Sequence, residues 1–78
     1  MEQEIKTGQI WSHYKNPSHH YEIICIARNS ENLEEMVVYK ILYKSETGMG
    51  AYWARPKKIF LESVNVEGKE VKRFSLVK

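Results

Sequence analysis

The 78 residues suffice for one small domain spanning 1–78, and 42% hydrophobic with 28% charged residues reads as a folded chain rather than a disordered one. Twelve Lys and Arg against ten acids leave a net charge of +2, too weak to imply a polyanionic partner by itself. All ten acids are Glu, so an Asp dyad, an EF-hand loop and an Asp-completed triad are excluded.

Cys25 is the only cysteine, so no internal disulfide and no cysteine zinc cluster can form. That usage fits a reducing, cytoplasmic setting. The opening MEQEIKTG is charged and lacks an apolar core, so no secretory leader is expected, and the longest apolar run, IICIA, is far too short to span a membrane.

Along the chain, QIWSHYK (9–15) alternates and reads as a first strand, with Trp11 and His13 on one face. NPSHH (16–20) reads as a loop broken by Asn16 and Pro17. YEIICIAR (21–28) is nearly all apolar, which predicts a central strand covered on both sides, with Cys25 buried and inert. NSENLEE (29–35) interrupts it, and Ser30 offers a cap for a single helical turn. MVVYKILYK (36–44) is the clearest strand, with Val37, Tyr39, Ile41 and Tyr43 along one face. SETGMG (45–50) predicts a turn and AYWAR (51–55) a short strand. Pro56 suits the first position of a helical turn, PKKIFLE, in which Ile59 and Phe60 face the body of the fold. Residues 63–77 read as a hairpin about Glu67-Gly68. Five or six short strands with one short helical turn predict a mainly β fold, a small antiparallel barrel.

The blocks GQIWSHYK (8–15), YEII (21–24), ARNSE (27–31), EMVVYKILY (35–43), WARP (53–56), FLESV (60–64) and VEGKEVKRF (66–74) together resemble the bacterial domain-of-unknown-function family numbered sixteen fifty-three. The resemblance covers 8–74. It implies an SH3-like β-barrel in a stand-alone cytoplasmic protein and implies no activity. Where that family usually has His after the Ala-Arg pair, this chain has Asn29, and its 15–21 and 45–51 loops look longer.

No nucleophile–base pair, phosphate loop or metal motif emerges, and the chain is too short to enclose a deep pocket, so no catalysis, cofactor or metal is expected. His13, His19 and His20 are the only histidines, and adjacent His19 and His20 would point apart on a strand. The candidate ligand surface is aromatic and basic: Trp11, His13, Tyr14, Arg28, Trp53, Arg55, Lys57, Lys58 and Arg73. Trp53 and Arg55 stand two apart on one strand face and would touch one ligand together if that face meets Trp11 and His13 across the barrel mouth. Scaffold roles compete with this: a capping Trp, a His bonded to a carbonyl, and Arg28 and Arg73 paired with glutamates. The first reading is a non-catalytic adaptor holding a peptide or protein partner. The second is a single-stranded RNA or DNA binder, with Trp11, Tyr14 and Trp53 stacking bases while Arg55, Lys57, Lys58 and Arg73 meet phosphates. Either is expected as a monomer or a weak homodimer joined through a strand edge, away from any membrane.

Overall fold

A computed structural model describes residues 4–43 and 50–78, so the turn expected at 45–50 lies, apart from Gly50, outside the described residues. Seven strands and one short helix follow in order: β1 (Ile10–His13), β2 (Asn16–Arg28), β3 (Glu35–Ile41), β4 (Tyr52–Pro56), α1 (Lys57–Phe60), β5 (Ser63–Val66), β6 (Lys69–Lys72) and β7 (Phe74–Leu76). Five strands form one antiparallel sheet in the order β4-β3-β2-β1-β7, and β5 and β6 pair separately. The fold is mainly β, as expected, but among the described residues no closed barrel is found. β4 and β7 remain two separate sheet edges.

The sheet nevertheless curls. Arg55 on β4 and Phe74 on β7 belong to opposite edges, yet the guanidinium carbon lies 5.4 Å from the phenyl centroid. The space between the edges is filled by α1, whose Phe60 is fully buried and stacks on Phe74 at 4.2 Å. Pro56 ends β4 and caps α1 with φ −53°, the angle its ring imposes.

The concave face carries the core. Val37, Tyr39 and Ile41 alternate along β3 and are all buried, as the period-two pattern predicts. Trp11, Tyr21, Ile23, Phe60 and Phe74 complete the cluster. Five of these eight side chains are aromatic. They meet mostly edge to face, as Tyr21 does with Tyr39 at 5.3 Å, which adds about 0.5–1.5 kcal/mol per pair beyond the area buried.

Two irregularities in β2 depart from the sequence reading. Residues 16–20 belong to the strand rather than to a loop. Between Ser12↔His20 and His13↔Asn16, β1 advances one residue while β2 advances four. Pro17 falls in that bulge, where its missing N–H leaves no ladder bond unmade. The second irregularity is at Ile24: Ile23 faces Tyr39 and Cys25 faces Val38, so β2 carries one extra residue. The alternation slips there, and Cys25 and Ile26 are exposed where a strand covered on both faces was expected.

The β2–β3 connection holds one helical turn, as expected: Leu33 N donates to Asn29 O at 2.7 Å, and no longer helix follows. Asn29 Oδ1 accepts from Glu31 N at 2.8 Å and Asn32 Oδ1 from Glu34 N at 2.9 Å. These two side-chain turns flank the single α-type bond and keep it from extending into a helix. The β5–β6 hairpin turns on Glu67 (φ 51°) and Gly68 (φ 83°), a pair of left-handed residues whose twist matches that of the strands. Among the described residues, no helix is long and apolar enough to cross a membrane.

Candidate functional site

The register brings the side chains of Trp11, His13, Trp53 and Arg55 onto the concave face of one sheet. Trp11 faces Tyr21, Tyr21 faces Ile41, Tyr39 faces Trp53 and Val37 faces Arg55. Directly paired residues share a face. The four do not lie at one depth. Trp11 is completely enclosed, edge-on to Phe60 at 5.3 Å, with its indole N–H donated to Gln9 Oε1 at 3.1 Å. It fills the core and presents no surface to a ligand, because Phe60 of α1 packs on the face where the alternation places it.

At the rim, His13 ends β1 directly opposite Phe74, the first residue of β7. The imidazole meets the phenyl edge at 5.0 Å and stacks on Tyr14 at 4.9 Å. Arg55 lies over the same phenyl. Phe74 is therefore a shared floor, touched by His13 from one side and Arg55 from above. Beyond it, Tyr21 O–H donates to Tyr43 Oη at 3.3 Å, and Tyr43 stacks face to face with His19 at 3.8 Å. His13, Tyr14, His19, Tyr43, Trp53 and Arg55 are all partly exposed, whereas the rings beneath them are buried.

The electrostatics of this rim are positive. Burial, then Arg55, Arg73, Lys15 and His19 in that order, hold the His13 imidazole below its ordinary value, so the ring is kept neutral in cationic surroundings. Burial raises the Tyr39 hydroxyl, and nearby Arg55 opposes that rise. The Tyr21 hydroxyl is raised by burial and by its bond to Tyr43. Tyr21 and Tyr39 therefore stay neutral hydroxyls at physiological pH.

The remaining expected residues lie apart from the rim or are already engaged. Arg28 donates from Nη1 to Leu33 O at 2.9 Å and ties down the β2–β3 loop, where Leu33 has φ 60°. Arg73 pairs with Glu62, Nη2 to Oε1 at 3.0 Å, while its buried Nε has no partner. Lys57 faces Glu35 at 3.9 Å. Lys58 makes an ion pair with Glu34 at 3.4 Å, but no aligned hydrogen bond reaches that buried carboxylate oxygen. These four residues line a cleft of about 240 Å³. Its charges are matched within itself, two lysines against two glutamates. That cleft is therefore self-satisfied, whereas Arg55 on the rim over Phe74 stands without an acid: among the described residues, no glutamate pairs with it.

Alternation along the strands was enough to find His13, Trp53 and Arg55. Phe74, Tyr21, Tyr43 and His19 were missed. Phe74 read as part of the hairpin, and nothing local in KRFSL says that it crosses to pair with β1. His19 was assigned to a loop that the wide bulge converts to strand.

The family described as "Protein of unknown function (DUF1653)" matches residues 9–76. A crystal structure of a DUF1653 protein from Bordetella bronchiseptica is similar to this chain, with a TM-score of 0.77 and 31% identity over 99% of this chain and 92% of that one. No curated protein matches this chain.

Proposed function

Because this chain belongs to the DUF1653 family, a family of unknown function, we propose that it is a non-catalytic binding module that holds a peptide or protein partner on the rim over Phe74. The observation that carries this reading is Arg55, a partly buried residue whose guanidinium lies 5.4 Å over a buried phenyl, with His13 beside that ring. A planar cation backed by an aromatic floor is preorganised, so little freedom is lost when a ligand arrives. Trp53, Tyr14 and the Tyr43–His19 stack extend the rim with rigid amphipathic rings, the side chains most common where one protein grips another. In this reading the curled sheet is an unclosed relative of the small SH3-like barrel, and its open mouth is the ligand side.

A partner of protein type is favoured over single-stranded nucleic acid. Base stacking would call on Trp11, which is enclosed, and phosphate contact would call on Lys57 and Lys58, which face glutamates. A random peptide library displayed on phage is the test, selected on the wild-type chain and counter-selected on an Arg55→Ala variant whose melting temperature is first checked. The expected outcome is an enriched set that binds the wild type and loses the variant. Enriched peptides that hold both proteins equally would place the binding surface elsewhere, and no enrichment at all would remove the peptide reading.

A further inference from the structure

Resting on that reading, the inference concerns what the partner must present. We infer that Arg55 receives a carboxylate of the bound peptide, either the chain end or an acidic side chain, with Phe74 as the floor beneath the pair. Three observations on different residues converge on this.

The first is the orientation of Arg55. Its guanidinium is seated over the Phe74 ring. Apart from the N–H it directs to the Tyr39 hydroxyl, the guanidinium keeps N–H groups to offer, and these match a carboxylate in a two-bond fork. The second is the distribution of acids. Lys57, Lys58 and Arg73 each stand opposite a glutamate, whereas no described glutamate pairs with Arg55. The third is the neighbourhood. The charged and titratable groups that act on His13 are Arg55 on β4, Arg73 before β7, Lys15 in the β1–β2 turn and His19 on β2, and each of them disfavours a further positive charge. A site that repels cations from several sides, and is floored by apolar rings, is complementary to an anion with an apolar neighbour.

A carboxylate fits better than a phosphate. One guanidinium is available at the floor, and Lys57 and Lys58, the two lysines of α1, are already paired. The tyrosine hydroxyls around Arg55 add no charge: Tyr21 donates to Tyr43, and Tyr39 accepts from Arg55 itself. His13 supplies a built-in reporter: an anion seated beside Arg55 offsets the cations that hold its imidazole down, so its titration midpoint rises on binding.

The test uses the full chain, labelled with carbon-13 and nitrogen-15. Four probes are titrated in turn: acetyl-Gly-Gly-Phe-Leu with a free chain end, its C-terminal amide, the amide of acetyl-Gly-Glu-Phe-Gly, and inorganic phosphate. The Arg55 Nε–H signal and the His13 ring protons are followed. The expected result is binding of a carboxylate probe at least about tenfold tighter than that of the neutral amide, the scale of one charge-assisted fork. The His13 midpoint moves up in the same complex, and Arg55→Lys, which keeps the charge but not the fork, loses most of the gain. The free-ended and Glu-bearing probes tell chain end from side chain. Phosphate binding as tightly as either would overturn the carboxylate assignment, as would neutral and acidic probes that shift Arg55 equally. If the phage-selected peptides bind at the rim with no preference for an acid, the carboxylate inference fails while the binding reading stands. If neither selected nor synthetic peptides bind, both fail.

Discussion

Replacing Trp11 with alanine removes an indole that is 0% exposed, packs edge-on against Phe60 at 5.3 Å and gives its N–H to Gln9 at 3.1 Å. Truncating a buried aromatic costs about 3–5 kcal/mol, because the transfer energy is lost and the surrounding rings collapse only in part. At about 0.05–0.15 kcal/mol per residue, a 78-residue chain holds about 4–12 kcal/mol in all. Trp11→Ala therefore takes about a quarter or more of the total and lowers the melting temperature by at least about 12 °C, using about 4–8 °C per kcal/mol for a domain this small. Trp53→Ala, at the half-exposed rim, should cost about half as much or less. Urea unfolding followed by far-ultraviolet circular dichroism measures both, since removing a tryptophan complicates fluorescence. A Trp11→Ala cost below about 1 kcal/mol, or one no larger than that of Trp53→Ala, would refute the assignment of Trp11 to the core and Trp53 to the rim.

The His13 imidazole is held below its ordinary value of 6.5, so the unfolded chain takes up a proton before the folded one does. Its contribution to stability is complete above pH 6.5 and is lost as pH falls through the folded value. Unfolding free energy measured at intervals below pH 6.5 should fall with pH in the wild type and fall less in His13→Gln. Gly68 sits at φ 83° with open space where a side chain would go, so Gly68→Ala should cost about 1 kcal/mol through backbone strain alone, and an unchanged denaturation midpoint would contradict the turn geometry. Cys25 lies on the exposed face of β2, so a thiol reagent should label the native protein to completion without denaturant. Labelling only on unfolding would place Cys25 back in the core.

The division between what the sequence discloses and what it hides follows the reach of the interactions. β3 was legible because Val37, Tyr39 and Ile41 alternate without a break, and the β5–β6 turn was legible because Glu67-Gly68 carries its own backbone preference. Strand β2 was not, because a bulge is a mismatch between two strands and leaves no mark in either alone. The slip at Ile24 is what turns Cys25 outward against its apolar neighbours. Likewise, alternation put Trp11 and His13 on one face, but depth on that face depends on what covers it. The covering residues, Phe60 and Phe74, lie about fifty and sixty residues further along the chain. The barrel expectation failed at closure for a similar reason: strand number is local, but whether β4 meets β7 depends on α1 standing between them.

The central claim is that the rim over Phe74 is the binding surface and that its partner is a peptide. Amide NMR titration of the full chain measures this directly, with an acidic random-peptide pool and a mixed single-stranded oligonucleotide pool each added at low and at physiological salt. The expected result is that the peptide pool shifts His13, Tyr14, Trp53, Arg55 and Phe74 at both salts, while the oligonucleotide pool leaves them unmoved at physiological salt. Shifts confined to Arg28, Lys57, Lys58 and Arg73 that fade as salt rises, or a rim that responds to oligonucleotide and not to peptide, would contradict it.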